Sequence, residues 1–214
     1  MTLYDLSHPL AAGMPVYPGD PAVSIQSATT VAADGAKVSQ LQLGSHAGTH
    51  VDAPAHVVDG GATVDQLDLD LLVGAAHILH ARSPGSPALR DKGLQQGDLA
   101  ALPDQLPNIV CIATGWDQYF HTALRAQHPY LELELVHALW RRGARVLGVD
   151  TLSPDPTSGA ATSFAVHEFW LGSGGVIVEN LRGLTGLSDR VQMSLLPLNL
   201  RGLDGSPVRA VAWD

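Results

Sequence analysis

The sequence predicts a mixed α/β fold, a single domain over residues 1–214 built on a largely non-parallel sheet. Three observations support this. Short apolar runs of four to eight residues recur between Gly, Pro and Asp punctuation, the pattern of strands rather than of a helical bundle. Only two stretches carry helical spacing. Apolar residues make up 45% of the 214 residues, enough for a sizeable core.

Taken in order, the expected strands are 23–30 (VSIQSATT), 37–44 (KVSQLQLG), 75–81 (AAHILHA), 109–114 (IVCIAT), 145–150 (RVLGVD), 175–180 (GVIVEN) and 191–198 (VQMSLLPL). The clearest helix is 131–143, where Leu131, Leu135, Val136, Leu139 and Trp140 share a face and Gly143 supplies a stop. A second helix, 163–175, runs from SFAVHEFW into glycines. The Pro-, Gly- and Asp-rich stretch 81–108 reads as a surface excursion with one short helix, because an apolar strand follows it at once.

The formal charge is −9, which argues against nucleic acid and anionic membrane surfaces as partners and leaves small-molecule chemistry open. A single cysteine, Cys111, excludes a disulfide framework and suits a reducing cytoplasm. The first ten residues have neither a basic nor an apolar leader pattern, and no run approaches the roughly 18 apolar residues of a membrane span. The expectation is a cytoplasmic protein.

Chemistry concentrates in one segment, LGSHAGTHVDAPAH, residues 43–56, which places His46, His50 and His56 around Asp52. An extended chain with period two would aim His46, His50 and Asp52 to one side and Leu41, Leu43 and Val51 to the other. Gly44, Gly48 and Pro54 disfavour a helix. Pro54 should turn the chain and bring His56 back towards the same site. Imidazole nitrogen and carboxylate oxygen suit borderline divalent cations such as zinc and manganese, and a three-ligand set with room for water is the pattern of a catalytic rather than a structural ion. By pattern alone, His56 is either a fourth ligand or a neighbouring acid/base. The chain has no Gly-x-Ser-x-Gly elbow, Walker loop or dinucleotide fingerprint. The segment 202–207 (GLDGSP) reads as a turn, and Asp65, Asp68 and Asp70 as helix-start or surface charges. His8, His77, His80, His121, His128 and His137 read as structural or solvent-facing.

The run His46-Ala-Gly-Thr-His50-Val-Asp52-Ala-Pro-Ala-His56 resembles the signature of the cyclase family of metal-dependent hydrolases, whose best-known members are bacterial kynurenine formamidases. The segments 14–21 (MPVYPGDP), 147–156 (LGVDTLSPDP) and 196–213 resemble further landmarks of that family. The resemblance implies a swivelling β/β/α fold and a homo-oligomer, a dimer or tetramer. It also implies two divalent ions per chain, zinc or alternatively manganese, held by His46, His50, Asp52, His167 and Glu179. His56 would be the catalytic acid/base and Tyr17 would contact substrate. The implied reaction is hydrolysis of a small amide, an N-formyl or lactam compound of aromatic type such as N-formylkynurenine. An isatin-hydrolase-like lactamase and a biosynthetic cyclase or dehydratase use the same metal site. A metal or small-ligand binding module without activity is the reading from another class, and it would not need His56. The chain departs from the formamidases at Tyr17, where they carry tryptophan, and at Val166, where several carry histidine before the equivalent of His167. Both departures lie on the substrate side. Of the remaining aromatics, Phe164, Trp116 and Trp170 read as core.

Overall fold

The computed structural model describes residues 1–158 and 164–214. The chain runs β1 (Leu3–Asp5), β2 (Ser24–Thr29), α1 (Val31–Asp34), β3 (Val38–Gln42), β4 (His50–Asp52), α2 (Leu69–Leu72), β5 (Val73–His80), β6 (Gly93–Leu94), β7 (Ile109–Ala113), β8 (Tyr130–Leu131), α3 (Leu133–Arg141), β9 (Val146–Val149), α4 (Ala165–Gly172), β10 (Val176–Glu179), β11 (Arg190–Ser194), β12 (Gly205–Pro207) and β13 (Val211–Trp213).

Nine of these strands form one sheet in the order β1-β13-β11-β5-β7-β9-β10-β4-β12. Its centre, β5-β7-β9-β10, is parallel, and every other neighbouring pair is antiparallel. The composition explains the division. Strands β7, β9 and β10 are buried along their whole length. Strands covered on both faces need continuous apolar runs, as in IVCIA and VLGV.

Alternate residues of those strands enter two different cores. Val110, Ile112, Leu147, Val149 and Ile177 pack with Leu135, Val136 and Leu139 of α3 and with Trp170 and Leu171 of α4. Burying a side chain of this size contributes about 1.5–3 kcal/mol, so the apolar stripe of α3 suffices to hold the helix on the sheet. The fully buried Trp170 indole donates its N–H to the carbonyls of Val176 (3.0 Å) and Arg145 (3.1 Å). On the opposite face, Ile109, Cys111, Val146, Val176 and Val178 meet Leu6, Val51, Val208 and Ala212. Residues next to both ends of the sheet thus share one core, so the sheet curls over itself. A bridge between Ser7 and Leu181, together with Arg182 N–H donating to the Leu6 carbonyl, ties one end back to the middle. The layers are β, β and α, as expected.

Several expectations are corrected. The segments 23–30 and 37–44 do form strands, but they pair only with each other, and Ile25, Val38 and Leu41 are exposed. The hairpin they form is largely exposed on both faces, so its alternating sequence does not correspond to a buried side. The excursion 81–108 holds two 3-10 turns (Pro87–Leu89 and Gln96–Asp98) and the short strand β6 in place of a helix, because Pro and Gly interrupt every run. The second helix is shorter than expected. It spans Ala165–Gly172, and Ser163, where it was expected to begin, lies outside the described residues. Strands β1, β12 and β13 have three residues each, too short for any periodicity to register.

Candidate metal centre

The centre is built from the antiparallel pairing of β4 with β10 and β12. Glu179 lies directly opposite His50, and Gly205 directly opposite Asp52. Opposed residues in such a pair hold their side chains close together on one face. His50, Asp52 and Glu179 therefore converge while Val51 and Val178 point into the curled core.

His46 arrives by another route than expected. The chain is not extended from Val38 to Asp52. Residues 44–49 form turns, and Gly48 has φ +66°, a left-handed conformation that favours glycine. A Cβ there would come within 2.9 Å of Leu10. The strand expected to carry His46 is thus a loop, because its two glycines turn the backbone. The loop still brings the ring to the site: His46 Nδ1 lies 2.6 Å from Asp52 Oδ1. Pro54 opens a 3-10 turn, as expected, and returns His56 so that its ring sits 4.0 Å from that of His46. His167 enters from the first turn of α4, with Nε2 3.2 Å from Glu179 Oε1 and 3.7 Å from Asp52 Oδ2. Tyr17 lines the adjoining cavity. The seven residues expected at the site from the sequence and the resemblance therefore lie together, from positions up to 162 apart in the chain.

The sequence reading missed two carboxylates. Asp155 accepts the Val166 and His167 backbone N–H groups at the start of α4, at 2.9 and 3.1 Å, and lies 2.7 Å from His167 Nδ1. One carboxylate thus starts the helix and orients its histidine. Asp204, read as part of a turn, lies between His46 Nε2 at 2.8 Å and His56 Nδ1 at 3.1 Å. Asp155 lies ten residues ahead of α4, and nothing local marked it. For Asp204 the signal was an acidic residue flanked by glycine at the head of a three-residue strand, which composition cannot separate from a turn.

Hydrogen bonds fix one nitrogen of each buried histidine of the centre as a donor. A carboxylate or carbonyl oxygen can only accept, so the ring nitrogen facing it carries hydrogen. His50 donates Nδ1–H to the Gly48 carbonyl (2.8 Å), and His167 donates Nδ1–H to Asp155. Their Nε2 atoms both point at Asp52 and Glu179. His50 Nε2, Asp52 Oδ2 and Glu179 Oε1 are buried without a hydrogen-bond partner. Unpaired buried polar atoms cost about 1–3 kcal/mol each, and three around one point need a common partner. The donor set fits one: nitrogen and carboxylate oxygen, each histidine fixed through its other nitrogen, is how divalent-ion sites are prepared. Three donor groups are present among the described residues: His46–His50–Asp52 and Asp52–His167–Glu179, which share Asp52, and the less buried His46–His56–Asp204, which shares His46 with the first.

The electrostatics agree. Burial opposes charge on every member. For His50 and His167 this is outweighed by the neighbouring carboxylates, Asp52 and Glu179 together with Asp155 for His167, and both rings are held well above histidine's ordinary value. The His50 charge and the hydrogen bonds of His167 and His46 likewise outweigh burial for Asp52, which stays well below the usual carboxylate range. Glu179 is also lowered, against both burial and the Asp52 charge, by His167 and His50. A field that strongly retains protons at buried imidazoles is one that also attracts a dication.

The cavity beside the centre has a volume of about 300 Å³, within the size range of a small-molecule site. Val16, Tyr17, Phe120, Leu152 and Phe164 supply its apolar lining. Phe164 corrects its expected core placement: it is 46% exposed and lines this cavity, whereas Trp116 and Trp170 are core as expected. Burial raises the Tyr17 hydroxyl above its ordinary value, and the Glu179 charge adds to this. Thr49 is a backbone clamp, donating to the Asn180 carbonyl and accepting from His8 N–H.

The curled sheet brings a His/Asp/Glu cluster beside an apolar cavity, and comparison with known proteins shows a family whose named relatives are hydrolases. The chain belongs to the family described as "Putative cyclase", which matches residues 4–156. It is 33% identical to a kynurenine formamidase of Paracidovorax citrulli, over 98% of this chain and 95% of that one. Among solved structures it resembles a potential metal-dependent hydrolase with cyclase activity (TM-score 0.79, 26% identity, covering 99% and 96% of the two chains). It also shares the fold of isatin hydrolase A from Labrenzia aggregata bound to benzyl benzoate (TM-score 0.84, 22% identity, 99% and 93%). No helix among the described residues is long and apolar enough to cross a membrane.

Proposed function

We propose that this chain, acting as a single domain over residues 1–214, is a metal-dependent amidohydrolase that cleaves a small aromatic amide of the N-formyl type, with N-formylkynurenine as the first candidate. One observation carries the reading: buried, unpartnered donor atoms converge beside a histidine whose free nitrogen borders an apolar cavity. The named formamidase relative supports the choice of substrate.

His46, His50 and Asp52 would hold one ion, and Asp52, His167 and Glu179 a second, with zinc the first candidate and manganese the alternative. When bound, such ions supply Lewis-acid chemistry, polarising a carbonyl and lowering the pKa of water from 15.7 towards about 7. The chain's own residues do the rest. His56 donates Nδ1–H to Asp204, which leaves its Nε2 lone pair as the basic atom. That atom takes a proton as water oxygen attacks the formyl carbon. It returns the proton to the leaving nitrogen as the C–N bond breaks, giving a carboxylic acid and a free amine. Tyr17 and Phe164 flank the cavity and hold the aromatic body of the substrate, and the apolar wall excludes bulk water. Catalysis explains His56: a protein that only stores an ion has no use for an unencumbered imidazole beside it.

The test is elemental analysis of protein purified without chelator, followed by assay on N-formylkynurenine, formanilide and isatin. About two zinc or manganese equivalents per chain are expected, with turnover of N-formylkynurenine. In His56→Ala the metal should be retained and kcat should fall by about 10²–10⁴. Metal without turnover of any of the three would overturn the substrate assignment, and undiminished turnover by His56→Ala would overturn the role of His56. Light scattering on the same sample tests the expected homo-oligomer, a dimer or tetramer.

A further inference from the structure

Asp204 is the one carboxylate in the cluster that does not face Glu179 or His167. Its Oδ2 lies between two imidazoles, His46 Nε2 at 2.8 Å and His56 Nδ1 at 3.1 Å. Its Oδ1 accepts from the Ser45 hydroxyl at 3.1 Å, and its carbonyl accepts from Ala53 N–H at 2.8 Å. The side chain is thus pinned from the backbone side and from the loop that carries His46. The next residue leaves no freedom either: a Cβ on Gly205 would come within 2.5 Å of His46 Cε1, so the ring is seated against bare backbone.

We propose that Asp204 is a positioning residue that sets the tautomers of two histidines with different duties through one oxygen atom. Both His46 nitrogens face carboxylate oxygens, Nδ1 at 2.6 Å from Asp52 Oδ1 and Nε2 at 2.8 Å from Asp204 Oδ2, so both carry hydrogen in the metal-free chain; with an ion bound, Asp204 would keep Nε2–H and Nδ1 would give up its proton to become the ligand atom. Accepting Nδ1–H from His56 leaves the His56 Nε2 lone pair free, which is the basic tautomer. The two rings lie 4.0 Å apart, so a shift of Asp204 moves both. Metal seating and proton transfer are coupled through this contact and would be lost together. The His56 half rests on the hydrolase reading. The His46 half rests on the donor cluster alone.

The experiment compares Asp204→Ala and Asp204→Asn with the wild-type chain in three readouts. The first is zinc affinity by competition with a chromogenic chelator. The second is kcat and KM for N-formylkynurenine at saturating zinc. The third is the histidine tautomers of the zinc-loaded protein, from long-range ¹H–¹⁵N correlations of the rings. Asp204→Ala is expected to weaken one zinc equivalent by about 10–100-fold, leave the other unchanged, and lower kcat by about the same factor with KM nearly constant. His46 and His56 should lose their single tautomers. Asp204→Asn, which can keep one oxygen between the rings, should recover part of each loss, a rescue that a merely structural defect would not show. Combining Asp204→Ala with His56→Ala should cost no more in kcat than His56→Ala alone. Wild-type zinc affinity and tautomers in Asp204→Ala would overturn the proposal. Weakened zinc with wild-type kcat at saturation would overturn its His56 half. If His56→Ala itself keeps full kcat, the hydrolase reading fails, while the chelator and tautomer measurements still decide the role of Asp204 at His46.

Discussion

The two walls of the cavity are built on different principles. The polar wall comes from strands β4 and β10, the first turn of α4, the tight turns on either side of β4 that carry His46 and His56, and Asp204 just ahead of β12, and each of its histidines has a nitrogen tied to a carbonyl or carboxylate. The apolar wall comes from loops: Val16 and Tyr17 between β1 and β2, Leu152 after β9, and Phe164 at the head of α4. The first wall holds its donor atoms through hydrogen bonds to backbone and carboxylates. The second offers shape. Chemistry is thus stored where the backbone is over-determined, and substrate choice where side chains can change without disturbing the sheet.

Changes on the polar wall should therefore cost far more than changes on the apolar one. Asp52→Asn removes the carboxylate shared by two of the donor groups. Loss of several kcal/mol of charge stabilisation corresponds to a fall of about 10³-fold or more in kcat/KM, with metal content dropping in parallel, read by initial rates and elemental analysis. Gly205→Ala breaks the same wall from behind by pushing the His46 ring out of place, and zinc affinity should fall by about 10–100-fold in a chelator titration.

The metal-free protein gives a subtler contrast. His50 and His167 are raised well above their ordinary 6.5, so their protonated forms stabilise the fold below that value, and this contribution is lost as pH rises through the raised values. The melting temperature of chelator-treated protein should fall on going alkaline of about pH 6.5, at roughly 2–4 °C per kcal/mol lost, and added zinc should flatten the curve. A metal-free protein whose melting temperature rises over that range would contradict the assigned charges. On the apolar wall, Phe164→Ala removes an aromatic contact of about 0.5–1.5 kcal/mol, so KM should rise about 2–10-fold with kcat little changed. A kcat effect as large as that of His56→Ala would erase the distinction between the walls.

What could be read from the sequence follows the same division. The buried strands 109–113, 146–149 and 176–179 were evident because burial on both faces requires unbroken apolar runs, and α3 was evident from its stripe. The donors in 46–56 were evident because unusual residue types crowd together. His167 and Glu179 were found only through the family resemblance, since nothing local marks a strand end or a helix histidine as a ligand. Asp155 and Asp204 escaped because their duty is to hold other side chains. Such a role is defined by a partner 12 to 158 positions away and leaves no local pattern.

The converging buried donors of the polar wall are proposed as a divalent-ion centre. Anomalous diffraction from crystals of the zinc-treated protein, recorded on both sides of the zinc edge, tests the proposal most directly. Strong peaks are expected among His46, His50, Asp52, His167 and Glu179, with Asp52 common to them. A map with no anomalous density at those side chains, in protein exposed to zinc at neutral pH, would contradict it.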